Sequence, residues 1–589
     1  HMADDYTTAS VEGDFRSKVL LNSATTGSFR YDNAFYPRVK KVRDDLYLLL
    51  YHYTSTGQHL YYALSRDGVN WDAPEVLYNR AEHDFVYDYG DRLGEKDGFY
   101  AVNPEAVVLD NGEILCVYSV RPCNGYKTYT ELSGLDLIRG TVTADGKIEW
   151  SAPTRIYTGQ NWEASFLKHD DGRLEIYFTQ IAPYISRYGY DDSYRSSGTG
   201  MLVSNDNGYT WTPNILPGDT ADYRATTVFQ QQIGTRNDLP YFCGQMPVAV
   251  SLANGRTMLA VEIRRLLQQR YDVSYALSDE NGAWKALDFT EEGPDTMRAN
   301  YTRTGDPATW SPTDPSSGSS PYLSRFDSGE VVMTYTYANR LLARIGAPDG
   351  SGFSDAAFSI LPDAPGFWGS VERVGSHAML FVNQATSQDG ATSGIAMIRG
   401  YLNHRINAPK IAMQTNAGTR AWDDAGATDA LFVGSASQAQ LALRVAHDDD
   451  YVYFLASVLD YDLESGDSVT LCIAESDTTW YRLTVGLFGG CSMKKATFNG
   501  TKITYSAAIP GAFAYVKLFG TPGNTDDTDE GYLMSIAIPK SLVGLDGASS
   551  FRLRPALTNY DGATKVSDTL TGDSTITTNA AHWPSVVLD

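Results

Sequence analysis

Along roughly the first 400 residues, one pattern of hydrophobic and polar positions returns six times. Each copy reads as a short strand, a turn that is usually Asp-Gly or Asn-Gly, and a strongly apolar second strand. The third copy, for example, is "WEASFLKHDDGRLEIYFTQ". The six copies begin at Tyr36, Pro104, Trp162, Pro247, Pro321 and Gly366. The alternation has a period of two residues, which excludes helical repeats.

The distances between the copies indicate how the repeats assemble. They are 68, 58, 85, 74 and 45 residues, uneven enough to require long loops on one face. Repeats that each form a small antiparallel sheet are typical of β-propeller blades, whereas an eight-stranded sandwich would not repeat one hairpin six times. We therefore predict an all-β chain whose residues 1–405 form a six-bladed β-propeller.

A second motif lies between the hairpins. "SRDGVNW" and "SNDNGYTW" share Ser-x-Asp, then Gly, then Trp, and "SDENGAW" is a less complete copy. In such a turn, Asp and Ser bond the backbone and Gly takes positive φ. The motif resembles the Asp-box (BNR repeat) of sialidase-like propellers, and the resemblance implies a structural role for its aspartates.

After Arg405 the repeat ends and a different region follows over residues 406–589. Its phrase "VAHDDDYVYFLASVLDYDLESGDSVTLCI" alternates like strands, and the chain ends with "HWPSVVLD". These stretches resemble the β-sandwich of family 9-like carbohydrate-binding modules. Asp448, Asp449 and Asp450 could bind a structural calcium, although a run of charges is more often a solvated turn.

Composition and charge restrict the partners of the protein. The net charge of −24 repels phosphate backbones and anionic lipids, which argues against nucleic acid and is compatible with a neutral polysaccharide. No apolar run is long enough to span a bilayer. Five cysteines without a C-x-x-C pair support neither zinc nor a disulfide framework, although Cys116 and Cys123 are close enough in sequence to pair. His1-Met2 is typical of cloning, so a native secretion signal could have been removed. We expect a monomer that is secreted, periplasmic or on the cell surface.

In a propeller, the innermost strand of every blade begins near the central axis, so residues at these strand heads converge on one pocket. The heads contain carboxylates, an arginine and aromatic residues, a set that suits a sugar pocket. The candidates at the strand heads are Tyr36, Arg38, Asn103, Glu105, Trp162, Glu163, Tyr322 and Trp368.

A further acid interrupts the apolar second strand of the fourth copy. Glu262 lies in "LAVEIRR", where a core position would normally be aliphatic, and Arg264 is on the same face two residues later. A single Glu at such a place is most often a strand-end salt bridge. Because Glu163 and Glu262 both interrupt apolar strands of one repeat, a catalytic pair is the better interpretation.

Five short motifs resemble the exo-1,5-α-L-arabinanase family of six-bladed propellers. They are "YPRV", "NWEASFLKHDDG", "LAVEIRR", "SGSSPYLSRFDSG" and "PGFWGSV", in the order of that family and spread over residues 30–400. The chain departs from the family at two places, where W-E-P becomes W-E-A and where Glu105 stands in "NPEAVVLD". The second departure puts the exact substrate in doubt.

The resemblance implies a retaining glycoside hydrolase whose catalytic carboxylates are Glu163 and Glu262. We assign Glu163 as nucleophile and Glu262 as acid/base, although the pair can be assigned either way from the sequence. Arg38 and Arg264 would bind sugar hydroxyls or a carboxylate, and Trp162 and Trp368 would stack on the sugar. No cofactor or catalytic metal is expected.

Two other functions remain open. A sialidase would need three arginines around a substrate carboxylate; Arg38 and Arg121 could supply two, but the usual R-I-P opening is absent. A non-catalytic, glycan-binding propeller would be favoured by loss of either Glu, and both are present. Insertions from Tyr184 and between Trp211 and Tyr241 could close one end of a cleft and favour exo action.

Overall fold

The structure is a computed structural model dominated by β-strands. It describes residues 9–589 except 55–56, 127, 182–196, 218–222, 224, 230–234, 237–238, 241–244, 266–269, 285–317, 355–356, 387–392, 413–417, 436–437, 525 and 571–573. Within these ranges, two short α-helices accompany the strands, α1 (Ser23–Thr26) and α2 (Arg420–Asp424). Within the described ranges, no helix is long and apolar enough to cross a membrane.

Six antiparallel sheets follow one another along the first 400 residues, as the repeats predict. Strand β1 (Val11–Leu21) precedes them. The first three blades contain β2 (Ala34–Arg43), β3 (Leu46–Tyr53), β4 (His59–Ser65), β5 (Glu75–Asn79), β6 (Asp84–Val86), β7 (Lys96–Val108), β8 (Ile114–Pro122), β9 (Gly134–Val142), β10 (Ile148–Trp150), β11 (Thr154–Thr158), β12 (Asn161–Lys168), β13 (Leu174–Gln180), β14 (Gly198–Ser204) and β15 (Thr226–Phe229). The next elements are a small ribbon, β16 (Thr235–Arg236) and β17 (Leu239–Pro240), and then β18 (Gln245–Ser251), β19 (Thr257–Arg265), β20 (Arg270–Leu277), β21 (Ser319–Arg325), β22 (Val331–Tyr337), β23 (Arg340–Gly346), β24 (Phe358–Ser359), β25 (Gly366–Arg373), β26 (Ala378–Thr386) and β27 (Ser393–Leu402).

The six sheets form a closed ring. The innermost strands β2, β7, β12, β18, β21 and β25 each contact the next, and β25 contacts β2. Strand β1 pairs antiparallel with β27, with Val11 opposite Leu402, so the beginning and the end of the repeat region share the sixth sheet. The second strand of a blade lies between neighbouring sheets, and β13 is accordingly buried at every residue. The predicted six-bladed β-propeller is confirmed.

Each innermost strand carries a β-bulge near its head. Its pairing with the second strand shifts register in all six blades, at Phe35/Arg38, Val102/Glu105, Trp162/Ser165, Gln245/Val248, Ser319/Tyr322 and Phe367/Ser370. The bulge residues with positive φ, between 47° and 61°, are Tyr36, Asn103, Glu163, Met246, Ser320 and Trp368. Left-handed φ is uncommon for residues other than glycine, so its recurrence in every blade marks these bulges as part of the fold.

The remaining strands form two sheets that face each other. They are β28 (Arg405–Ala408), β29 (Leu431–Ser435), β30 (Ala439–His447), β31 (Tyr451–Asp460), β32 (Ser468–Ala474), β33 (Thr479–Gly486), β34 (Cys491–Phe498), β35 (Ile503–Tyr505), β36 (Phe513–Phe519), β37 (Gly531–Pro539), β38 (Ser550–Asp561), β39 (Thr564–Thr569) and β40 (Ser585–Leu588). Strands β29, β30, β31, β37 and β36 build one sheet, and the others build the second. One apolar core that includes Trp480 and Trp583 lies between them, which is a β-sandwich.

The acidic turns have local hydrogen-bonding roles. Asp67 accepts the backbone N–H groups of Val69 and Asn70 at 2.8 Å each. Asp448 accepts those of Asp450 and Tyr451 at 2.8 and 2.7 Å. Among the described side chains, no group of three or more His, Cys, Asp or Glu is placed to hold a metal ion. Cys116 and Cys123 are free thiols.

Candidate functional site

A cavity of about 370 Å³ opens at the head of the innermost strands, where the bulges converge. All six blades contribute to its lining, and four of them contribute two or more residues. These residues are His52, Val102, Asn103, Arg121, Trp162, Glu163, Gln245, Glu262, Ser319, Ser320 and Trp368. The cavity therefore brings the predicted carboxylate pair together with both predicted stacking tryptophans.

Two sets of equivalent residues surround the central axis at this level. The first set consists of the bulge residues, to which Glu163 belongs. The second set lies on the second strands, opposite the residue that precedes each bulge, and contains His52, Ser119, Thr179, Glu262, Thr336 and Gln384. The two carboxylates thus come from different strands of the repeat, in neighbouring blades.

Hydrogen bonds between blades connect the two sets. In four blades, the backbone N–H of the bulge residue donates to the second-set side chain of the preceding blade. The four bonds are Tyr36 N to Gln384 Oε1 at 3.3 Å, Asn103 N to His52 Nδ1 at 3.1 Å, Met246 N to Thr179 Oγ1 at 3.0 Å and Ser320 N to Glu262 Oε2 at 2.8 Å. A left-handed bulge turns its N–H away from its own ladder, which makes these bonds available.

Glu163 is held as an acceptor. Its Oε2 receives the hydroxyl of Thr179 at 2.7 Å and the backbone N–H of Met246 at 3.2 Å. Burial raises the pKa of Glu163, whereas these two hydrogen bonds and the positive charges of Arg121 and Arg38 oppose that rise. The two donors stabilise the charged form of Glu163 and therefore limit the rise of its pKa.

Glu262 has different surroundings from Glu163. It is 7% exposed and receives one backbone hydrogen bond, from Ser320. Burial and then the negative charge of Glu163 raise the pKa of Glu262 to about 8. Ser320 donates to Oε2, which leaves Oε1 as the oxygen that can carry a proton. The raised pKa favours a protonated Glu262 at neutral pH, and Glu163, which accepts two hydrogen bonds, is the better candidate for the carboxylate of the pair.

The predicted binding residues separate into two layers. Asn103, Trp162 and Trp368 line the cavity. Tyr36 lies next to it, with its ring 6.1 Å from that of Trp368 and 3.6 Å from the guanidinium carbon of Arg38. These aromatic faces provide the apolar part of the site.

Arg38, Glu105 and Tyr322 lie one layer deeper than predicted, and none of them lines the cavity. Each stands two residues after a bulge, so the bulge moves it below the level of Glu163. Glu105 lies 3.5 Å from Arg38 and 3.1 Å from Lys40, and it accepts the Tyr322 hydroxyl at 2.8 Å. All three predicted residues belong to a buried ion-pair cluster on the axis, which supports the floor of the cavity.

Three further predictions reach beyond the described residues. Strand β19 contains Arg264, but the structure does not describe the side chain of that residue. The insertion from Tyr184 and much of the stretch between Trp211 and Tyr241 lie outside the described ranges. Their proposed role in closing a cleft remains a prediction.

His52 and Thr179 are site residues that the sequence interpretation missed, and Arg121 was considered only as a sialidase arginine. Arg121 lines the cavity with its guanidinium carbon 5.1 Å from the centre of the Trp162 ring. The sequence did contain a signal for these two residues. His52 in "LLLYHY" and Thr179 in "LEIYFTQ" are polar residues within apolar second strands, as Glu262 is. Aligning all six second strands would have identified the whole set.

A second, larger cavity of about 580 Å³ lies at the far end of the innermost strands. Its charges are mostly paired. Lys168 lies 2.5 Å from Asp110, and Arg373 lies 2.7 Å from Asp327. The smaller cavity contains the Glu163 and Glu262 pair together with both predicted tryptophans, so it is the better candidate site.

Thr179→Val is expected to lower activity by removing the hydroxyl that donates to Glu163. Losing a hydrogen bond to a charged group costs about 1.5–3 kcal/mol, so kcat/KM should fall about 10- to 100-fold below neutral pH. The pKa of Glu163 should rise further, which moves the acidic limb of the pH–rate profile upward. Thr179→Ser retains the hydroxyl and is the matched control; equal activity of the two variants would exclude this role.

No protein-family model and no curated protein sequence matches the chain. Among solved structures, a protein of unknown function from Dyadobacter fermentans is 15% identical, covering 67% of this chain and 99% of its own, with a TM-score of 0.44. An α-L-arabinanase from Penicillium chrysogenum, solved with arabinobiose, is 17% identical, with coverages of 62% and 93% and a TM-score of 0.36. A family 9 carbohydrate-binding module from Caldicellulosiruptor kristjanssonii, solved with cellotriose, is 16% identical, with coverages of 31% and 93% and a TM-score of 0.24. At these values the likenesses establish no function.

Proposed function

We propose that this chain is an exo-acting, retaining glycoside hydrolase that cleaves terminal α-L-arabinofuranosides from an arabinan-type polysaccharide. One observation carries the proposal. Two carboxyl groups, Glu163 and Glu262, line one cavity; Glu163 accepts two hydrogen bonds, whereas burial and the charge of Glu163 raise the pKa of Glu262 to about 8. Pairs of this kind perform the two roles that glycoside cleavage requires.

The chemistry follows from those surroundings. The Glu163 carboxylate attacks the anomeric carbon, and the Glu262 acid protonates the departing glycosidic oxygen, which leaves a covalent glycosyl ester on Glu163. Glu262, now ionised, then takes a proton from a water molecule whose oxygen attacks the same carbon and releases Glu163. Two displacements retain the anomeric configuration, and such pairs stand about 5–5.5 Å apart.

The lining supports a neutral, compact sugar. Trp162 and Trp368 offer apolar faces, while Asn103, Gln245 and the serines at 319 and 320 offer neutral polar groups. A substrate carboxylate would call for several cationic side chains. Of the described lining residues, Arg121 alone carries a guanidinium, and Arg38 belongs to the deeper cluster.

A substrate screen tests the proposal. The purified chain would be incubated with linear α-1,5-arabinan, arabino-oligosaccharides and sialyl-lactose, and the products would be sized by chromatography. Release of one short arabinose product from arabinan is expected. Activity on sialyl-lactose alone would replace the proposal with a sialidase, and binding of glycans without turnover would favour a non-catalytic propeller.

The pH dependence of kcat/KM is expected to be bell-shaped. Glu163 must be ionised, and its pKa is raised by burial, so activity should fall as the solution becomes more acidic than that pKa. Glu262 must be protonated, so activity should decline as the pH rises through about 8. Initial rates between pH 4 and 10 would measure both limbs, and undiminished activity at pH 10 would remove Glu262 as the acid.

The other parts of the proposal concern the rest of the chain. Residues 406–589 would act as a separate carbohydrate-binding domain that keeps the enzyme near its polysaccharide. Because polysaccharides are extracellular, the monomer would work in a secreted, periplasmic or cell-surface location.

A further inference from the structure

His52 occupies the cavity wall next to the candidate catalytic pair. It is the blade-one member of the set that contains Glu262 and Thr179, and it is only 2% exposed. Its ring stacks on Phe35 and Tyr36, with centroids 6.0 Å apart in each case, and meets Trp368 edge-on at 6.0 Å. Aromatic contacts therefore fix the orientation of the imidazole.

The backbone fixes the position of the proton on this ring. The N–H of Asn103, in the blade-two bulge, donates to His52 Nδ1 at 3.1 Å. A backbone N–H can only donate, so Nδ1 must be unprotonated and a neutral ring must carry its proton on Nε2. No described residue accepts a hydrogen bond from Nε2.

The charges around the ring keep it neutral. Burial, then the positive charges of Arg121 and Arg38, lower the pKa of His52 to about 3. Both carboxyl groups of the candidate pair line the same cavity, but a charged imidazole would have to break the bond from Asn103. His52 is therefore an aromatic-stacked donor with one available N–H, not an acid, a base or a cation.

We propose that His52 donates its Nε2–H to a hydroxyl oxygen of the bound sugar and is a specificity-determining residue of the site. The inference rests on the proposed function and adds to it. A neutral donor fixed between aromatic rings selects an uncharged, hydroxyl-bearing ligand, because it contributes no charge to pair with a carboxylate. A sugar without that hydroxyl would leave the buried N–H of His52 unpaired, which would weaken the binding of that sugar.

Two variants separate this role from a packing role. In His52→Gln the side-chain amide reaches the former position of Nε2 and can donate into the cavity. In His52→Asn the amide stops near the former position of Nδ1, where its oxygen can accept from Asn103 but its N–H cannot reach the sugar. If the donor matters, kcat/KM on arabinobiose should fall about 10- to 100-fold in His52→Asn and less than about 5-fold in His52→Gln.

Equal losses in both variants, or a larger loss in His52→Gln, would overturn the inference. A second measurement uses the unmodified protein labelled with ¹⁵N-histidine, with His52→Gln identifying the signal of His52. Long-range ¹H–¹⁵N spectra at pH 6 should show a neutral ring protonated at Nε2, and an imidazolium or an Nδ1–H form would contradict the inference. If the wild type hydrolyses arabinobiose but His52→Gln loses more activity than His52→Asn, only the role of His52 is wrong. If the wild type is inactive on every glycan, the proposed function itself is wrong.

Discussion

Glu163→Gln is expected to fold like the wild type and to lose at least about 10⁴-fold in kcat on arabinan. The amide is nearly isosteric with the carboxylate, and its oxygen can still accept from Thr179 and Met246. The bulge backbone, with φ of 57°, needs no change. What disappears is the anionic oxygen that attacks the anomeric carbon, so no glycosyl-enzyme can form.

The loss should not depend on the leaving group, because every substrate requires this attack. The measurement is the steady-state rate on arabinan and on 4-nitrophenyl α-L-arabinofuranoside, with circular dichroism and thermal unfolding as controls for folding. Glu105→Gln, in the deeper cluster, is a useful comparison because it also neutralises a buried carboxylate near the axis. A Glu163→Gln enzyme within tenfold of the wild type on either substrate would remove Glu163 from the mechanism.

Glu262→Gln is expected to lose about 10³-fold on arabinan yet to keep a rapid first step on the nitrophenyl glycoside. An arabinan leaving group needs a proton from Glu262, whereas nitrophenolate leaves without one. Gln can still accept the backbone hydrogen bond from Ser320, so the cavity should be preserved.

The second step should be slow in this variant because the base that activates water is missing. Rapid mixing should therefore show a burst of nitrophenolate close to one equivalent, followed by slow turnover. The same experiment on Glu163→Gln should show no burst. A burst in Glu163→Gln and none in Glu262→Gln would exchange the two assigned roles.

Much of the fold could be predicted because each repeat contains its own signal. Alternating apolar residues around an Asp-Gly turn define a hairpin, and six hairpins with uneven linkers define a ring of blades. The interruption of "LAVEIRR" by Glu262 identified one carboxylate for a physical reason: a charged group within an apolar strand has to be stabilised by its surroundings.

The bulges could not be predicted in the same way. Four of the six positive-φ residues precede a proline, at Pro37, Pro104, Pro247 and Pro321, and the residue before proline is normally extended. In regular strands without bulges, Arg38, Glu105 and Tyr322 would be expected at the same level of the axis as Glu163. With them, these three side chains fall one layer deeper and pair with each other. Contacts between blades, such as those of Met246 with Glu163 and Thr179, join distant parts of the chain, and no local pattern reveals them.

The anomeric configuration of the first product tests the central claim most directly. Wild-type hydrolysis of α-1,5-linked arabino-oligosaccharides would be followed by ¹H NMR during the first minutes, before the free sugar mutarotates. If Glu163 attacks carbon and Glu262 supplies and removes the proton, the α-anomer must appear first and the β-anomer only later. Initial release of the β-anomer would mean a single displacement by water, and would contradict a nucleophilic Glu163.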